Sequence, residues 1–513
     1  MQNFNKTFKI LSKILLLFTL SIYISNSTRL FASSTGIYSS YKSDLMLSDY
    51  LKDVKNKMQN KTGVYVLEQG IEAMLSRAWL TQHAQTTIDV QYFIFSTDNI
   101  GLIATNYLIE AAKRGVKVRV LVDDIMVEAS GEDLLKIASH KNIEIKIYNP
   151  MANIGKNIFQ KIINLSTDFH KLNQRMHNKT FTIDGKVTIT GGRNVADEYF
   201  GYDHEYNFRD RDVLLVGGVV SKVQKSFNEF WENKLSVDIK DLLKNKKLDS
   251  DTPIFTKLHE YASNPKNFVP SVRNKINEIP LAIKEIQEQK KLQWIENVQY
   301  ISDIPGKNNA NKFLAGGGAS TDKLISLLKN SKESVIIQTP YLITTKKTRK
   351  ILKELVAKGV DIKILTNSLA STDNLEAFNG YQRDRQALLK TGIEVYEFKP
   401  NAKIRQKIMS EVMQKQLKKA PIFGLHAKSM VVDNKTSIIG TYNVDPRSAN
   451  LNTENFVIIP SSKIAKEIKE GMIEEMKEEN AWKISLDWNP DSLVDLKKRI
   501  RVKIRRIVPK SIL

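Results

Sequence analysis

The sequence predicts an α/β protein made of two homologous halves, and three observations carry that expectation. A strand, helix, strand order appears twice. Landmarks in the two occurrences keep a nearly constant spacing. One motif anchored by a histidine is also written twice, although the chain holds only seven His among 513 residues.

The first unit reads as a short lead-in from Val64, a helix over 67–77, a strand over 87–95 (TIDVQYFIF), a helix over 102–113 and a strand over 117–122 (KVRVLV). Gly115 closes the second helix, as a residue at ease in the left-handed region should. The order returns as a strand over 334–338 (SVIIQ), a helix over 348–358 stopped by Gly359, and a strand over 361–365 (DIKIL). Strands alternating with helices in this way build a parallel sheet. Pairing Gln91 with Gln338, Gly115 with Gly359 and His177 with His426 gives offsets of 247, 244 and 249 residues. Such constancy marks a duplication.

In the doubled motif His177 and His426 are each followed two residues later by Lys (Lys179, Lys428), seven later by Asp (Asp184, Asp433), fourteen later by Gly (Gly191, Gly440) and seventeen later by Asn (Asn194, Asn443). His and Lys two apart share one side of a strand. Asp184 and Asp433 end that strand at a turn, where a structural role suits them. A second strand then returns the Asn toward the His. Two halves related by a pseudo-twofold axis bring two His, two Lys and two Asn to one cleft. That set suits phosphodiester displacement without a metal: one imidazole attacks phosphorus, the other handles the proton, and Lys and Asn hold the nonbridging oxygens. A lone His-x-Lys would more often be an ordinary polar strand. Its duplication with Lys and Asn retained favours catalysis, and neither copy has a His-x-His or His-x-x-x-His spacing for zinc.

Composition narrows the rest. Lys and Arg number 78 against 56 Asp and Glu, a formal charge of +22 and a pI near 9.6, which favours nucleic acid, phosphorylated metabolites or acidic lipid as partners. The absence of Cys removes disulfides, thiolate nucleophiles and Cys-ligated metal sites. No cofactor is called for. Lys6, Lys9 and Lys13 precede the apolar run 14–25 and a small-residue stretch near Ala32, the layout of a signal peptide or an uncleaved anchor, so export is expected. The expected organisation is a signal peptide or anchor (1–33), a first half (60–240), a charged linker or helical insertion (241–310), a second half (311–480) and a basic C-terminal segment (481–513). The glycines at 316–318 read as a flexible turn more readily than as a phosphate loop. In the C-terminal segment eight Lys and Arg interleave with Ile and Val, which suits either an anionic membrane surface or a solvated helix face.

The pattern HxKx4Dx6G[GST]xN in two copies resembles the phospholipase D superfamily. QYFIF, RGVKVRVLVDD, DFHKLNQRMHNKTFTIDGKVTITGGRNVADEYF, TNSLASTD, LHAKSMVVD and NVDPRSANLNTE resemble its bacterial cardiolipin synthase branch, C-type members in particular. The resemblance covers about residues 60–240 and 310–513. It implies two phospholipase D-like halves, each a mixed β-sheet flanked by helices, with the active site at their interface, His177 as nucleophile and His426 as general acid. It further implies an acidic residue after each motif that orients a His: Glu454 in the second half, and Asp210 or Asp212 in the first, with Asp210 aligned to Glu454 and expected to serve His177. Thr441 stands where the family commonly has Gly or Ser. The implied activity is phosphatidyl transfer that makes cardiolipin from phosphatidylglycerol and a second phospholipid, at the periplasmic face of a membrane or after secretion. The partners would be phospholipid substrates and an anionic membrane, with a helper protein left open. Hydrolysis to phosphatidic acid uses the same groups. An endonuclease and a noncatalytic lipid-binding protein are the more distant alternatives, the first because the motifs are those of the lipid branch and the second because both copies are intact.

Overall fold

In a computed structural model, the described residues are 47–126, 128–150, 173–244, 253–268, 270–279, 291–307, 316–409 and 420–513. The signal segment expected over 1–33 lies outside them.

Two mixed sheets form the two halves. The first has the strand order Gln293–Ile295, Thr62–Leu67, Asp212–Gly217, Val187–Gly191, Thr180–Ile183, Thr87–Tyr92, Lys117–Asp123, Ile143–Tyr148 and Ser236–Asp238. The second runs Gln299–Ser302, Asn455–Pro460, Thr436–Gly440, Ser429–Val432, Ser334–Gln338, Asp361–Asn367, Glu394–Phe398 and Ala481–Lys483. Apart from the extra edge strand 293–295, the two orders correspond strand for strand. In each, three central strands are parallel and the remainder antiparallel. The parallel strands are rich in Val, Ile and Leu, with interruptions such as Asp89, Arg119, Lys146 and Lys363 forming polar contacts of their own.

The helices start and stop where local chemistry dictates. Asp98 accepts from the Gly101 amide at the head of helix Asn99–Lys113, and Thr345 accepts from the Thr348 amide at the head of helix Lys346–Ala357. Gly115 (φ 100°) and Gly359 (φ 86°) follow the two C-termini in the left-handed conformation. The first helix, expected from 67, begins at Gly70, because Leu67 ends the strand that opens the chain's first sheet.

The segment 241–310 does more than link. Helices Ile254–Ser263 and Pro270–Asn277 bury Leu258, Ala262, Val272 and Ile276 against the first half, and its last strands, 293–295 and 299–302, form one edge of each sheet. Its charged residues are the solvated side of packed elements, which concealed the apolar spacing. The C-terminal segment likewise supplies strand Ala481–Lys483 to the second sheet and then the helix Leu496–Ile504. Among the described residues no helix is long and apolar enough to cross a membrane.

Candidate active site

Each motif lies on a β-hairpin. Strands 180–183 and 187–191 pair in the first half, 429–432 and 436–440 in the second. At the turns Asp184 and Asp433 adopt left-handed φ values of 51° and 52°. The Asp184 carboxylate accepts from the amides of Gln85, Thr86 and Thr87, and that of Asp433 from those of Lys332, Glu333 and Ser334. These two aspartates therefore tie each hairpin to the neighbouring strand at the end far from the histidines. Of the ten candidate site residues, they are the two that the fold keeps away from the site.

The histidines themselves sit on inter-half backbone contacts. The His177 amide donates to the Thr453 carbonyl (3.0 Å), and those of His426 and Ala427 donate to the Arg209 carbonyl (2.8 and 2.9 Å). Strand Ile422–Leu425 pairs in parallel with Tyr206–Arg209 of the first half. Each histidine thus lies against the residue that precedes the other half's acid. The consequence is a crossed pairing: His177 Nδ1 contacts Glu454 Oε2 at 2.8 Å, and His426 Nδ1 contacts Asp210 Oδ2 at 2.5 Å. The expectation that Asp210 or Asp212 orients His177 is corrected: Asp210 serves His426, and Asp212 pairs with Arg77 (2.9 Å). Spacing along the chain reveals that an acid follows each motif, but not which side of the pseudo-twofold axis it faces.

Both imidazoles, both lysines and both acids are buried. With each Nδ1 held by a carboxylate, Nε2 is the nitrogen that faces a substrate, and on His426 it also has the Lys428 ammonium at 3.0 Å. The Lys179 ammonium donates to the His177 carbonyl (2.9 Å) and that of Lys428 to the His426 carbonyl (2.7 Å). Asn194 Oδ1 accepts from the Ile94 amide, which fixes its side chain, while Asn443 Oδ1 is buried with no hydrogen-bond partner among the described residues. Aromatic rings unremarked in the sequence complete the walls: Phe93 lies edge-on to His177 (5.1 Å), and Tyr199 and Phe208 flank His426 (5.1 and 4.7 Å). The signal for Phe93 was its place two residues after Gln91 in QYFIF.

The two histidines are electrostatically unequal. Burial and the cations Lys179, Lys428 and Arg447 hold His177 well below the usual imidazole value. Burial and Lys428 bring His426 to about 4, against the opposing pull of Asp210. Burial raises Glu454 to about 7, with the Thr441 hydroxyl and Lys179 opposing it. The Thr441 hydroxyl donates to Glu454 Oε2, so the residue that departs from the family pattern supports the acid. Burial also disfavours the Asp210 carboxylate, but His426, Lys428 and Arg193 outweigh it and hold Asp210 well below the usual range. Desolvation lowers Lys179 to about 7 and Lys428 to about 8. Lys428 acts on both histidines and both acids act on Lys428, which makes the two motifs one electrostatic unit.

Ionic contacts lock the halves around this unit. Arg209 pairs with Glu475 (2.7 Å) and Glu68 (2.6 Å), and Arg211 donates to Glu68 and to Gln338.

Comparison with known proteins agrees with the doubled architecture. The family described as "Cardiolipin synthase, PLD-like domain" matches twice, over residues 80–231 and 324–476. Cardiolipin synthase C of Escherichia coli K12 is 34% identical over 448 residues, 86% of this chain and 91% of that protein. An uncharacterized protein of Helicobacter pylori J99 is also 34% identical, over 82% of this chain and 80% of its own. The crystal structure of a phosphatidylserine synthase from Haemophilus influenzae shares the fold, with a TM-score of 0.56 at 13% identity, covering 91% of this chain and all of that one. The crossed site thus sits in a phospholipid-modifying enzyme, and the chain belongs to the phospholipase D superfamily, in its cardiolipin synthase-type phosphatidyltransferase family.

Proposed function

We propose that this enzyme makes cardiolipin by transferring a phosphatidyl group from one phospholipid, phosphatidylethanolamine or phosphatidylglycerol, to a hydroxyl of phosphatidylglycerol. The observation that carries the reading is the crossed pairing of His177 with Glu454 and of His426 with Asp210. His177, kept unprotonated, attacks the donor's phosphorus through Nε2. The phosphorus–oxygen bond to the headgroup alcohol breaks as His426, protonated in the substrate complex with the ionised Asp210 countering the burial and the Lys428 charge that bring the ring to about 4, gives that oxygen a proton. In the second step His426 takes the proton from the acceptor hydroxyl, whose oxygen attacks phosphorus and releases His177. Lys179, Lys428, Asn194 and Asn443 bind the nonbridging oxygens, where charge builds in both transition states.

A membrane-facing location accords with the C-terminal helix. Leu496, Ile500, Ile504 and Ile507 follow one another at helical spacing and are exposed, Ile507 by 85%, beside exposed Lys497, Arg501, Lys503 and Arg506. Val502 on the opposite side is buried against the second half, and Arg505 and Lys510 pair with Glu376 and Asp384. An apolar ridge with flanking cations suits the surface of an anionic bilayer.

Purified enzyme on mixed phosphatidylglycerol and phosphatidylethanolamine vesicles should yield cardiolipin by lipid chromatography. Phosphatidic acid as the sole product would reassign the enzyme to hydrolysis, and DNA cleavage with neither lipid product would remove the lipid reading.

A further inference from the structure

The second half contains a cavity of about 490 Å3. It lies between the sheet and helices Ala319–Lys329 and Lys346–Ala357. Its walls include Leu324, Ile337, Ile351, Met430, Ile438 and Phe456, and one side is formed by Lys428 and Tyr442, so it adjoins the candidate active site.

Three positions on this cavity wall differ in chemistry from their equivalents in the first half. Gly191 pairs with Asp212, and Gly440 pairs with Phe456. Arg193 and Tyr442 each precede the motif's Asn. Thr87 and Ser334, both held by the turn aspartates, lie ten residues after Arg77 and Leu324. In the first half Arg77, Arg193 and Asp212 form a buried ion cluster, with Arg77 at 2.9 Å and Arg193 at 3.5 Å from the Asp212 carboxylate. In the second half the same three places hold Leu324, Tyr442 and Phe456, all on the cavity wall. The packing differs accordingly: helices Gly70–His83 and Asn99–Lys113 lie close together, whereas their second-half equivalents make no such extended contact.

We infer that this cavity receives an acyl chain of the phospholipid whose phosphate sits at Lys428. An apolar void weakens a fold in proportion to its volume unless apolar atoms fill it, and its size is in the range of small-molecule sites. A hydrocarbon chain supplies those atoms without any polar group to satisfy, and the adjoining ammonium supplies the partner for the phosphodiester from which the chain hangs. This assignment rests on the phospholipid reading of the site and adds to it the place of one tail.

The test uses full-length enzyme with lysophosphatidylglycerol bearing a photoreactive diazirine at the end of a sixteen-carbon chain. Irradiation should label helices Ala319–Lys329 and Lys346–Ala357, as mapped by peptide mass spectrometry. Label confined to residues 486–507 or to the first half would overturn the inference. Ile325→Trp and Leu328→Trp fill the cavity and should lower the ratio of long-chain to six-carbon turnover by about tenfold, the scale on which an apolar pocket discriminates. Thermal unfolding checks that each variant is folded. An unchanged ratio in folded variants would overturn the inference as well. Labelling in the cavity without any lipid turnover would leave the chain site standing and defeat the proposed reaction instead.

Discussion

The two histidines occupy the same place in duplicated halves, yet the charge of their surroundings differs. His177 faces Glu454, a buried carboxyl raised to about 7 and supported by the Thr441 hydroxyl. His426 faces Asp210, which His426 itself, Lys428 and Arg193 keep ionised against burial. Both rings lie below the usual imidazole value, but the ionised Asp210 pulls His426 toward the imidazolium against burial and Lys428, a pull that burial and the cations around His177 leave unmatched there. On the proposed mechanism, the duplication keeps one geometry and divides the labour of acid and nucleophile through the charge of the acid behind each ring.

The largest effect expected is from the histidines. His177→Ala and His426→Ala should each cost about a thousandfold or more in transfer. They should differ with a donor whose leaving group needs no proton: His426→Ala should still form a phosphoenzyme that acid-quench labelling detects, and His177→Ala should not. Equal behaviour with that donor would erase the assigned division.

The acids come next. Asp210→Asn should lower kcat by about a thousandfold, since an amide cannot support the imidazolium. Glu454→Gln should cost only about tenfold, because a near-neutral carboxyl is replaced by a neutral amide. The reverse order in steady-state kinetics would exchange the roles of the two rings.

The pH profile offers a gentler probe. Lys179 and Lys428, lowered to about 7 and about 8, are protonated below those values and lose their charge as pH rises through them. Attraction for the phosphodiester is therefore present on the acid side and lost on the alkaline side. kcat/KM should decline between about pH 7 and pH 9. A flat profile across that window would show that the lysines do not carry the binding. Lys428→Arg, which stays charged, should remove part of the decline in a variant that thermal unfolding shows to be folded.

Two smaller predictions concern the frame. Glu475→Ala removes one of the two carboxylates paired with buried Arg209 and should lower stability by about 3 kcal/mol in denaturant unfolding. Asp184→Ala and Asp433→Ala each remove an acceptor for three amides and should cost about 1–2 kcal/mol with the pH profile unchanged. A changed profile in either would return that aspartate to the chemistry.

Much of this was legible in the chain. Val, Ile and Leu runs closed by Gly115 and Gly359 disclosed the central strands and helices, because local periodicity and a left-handed stop are properties of neighbouring residues. The motif spacing disclosed His177, Lys179, His426 and Lys428 for the same reason. The strand 62–67 was missed because its last residue, Leu67, also reads as the first of a helical pattern. The partner of each histidine was missed because Asp210 and Glu454 reach across the interface, and strand spacing fixes an acid's position without fixing its neighbour in space. The cavity was hidden because Leu324 and Phe456 look like any core residues until the ion pair of Arg77 and Asp212 is seen in their stead.

The crossed pairing also makes the site a test of assembly. As the chain is synthesised, His177 and Asp210 are finished while their counterparts, Glu454 and His426, do not yet exist. Neither half can orient its own imidazole, so a lone half, a misdocked pair or a truncated product has no primed nucleophile to turn loose on the cell's lipids. Catalytic competence and correct docking are one event, and two fragments expressed apart should become active only to the extent that they find each other.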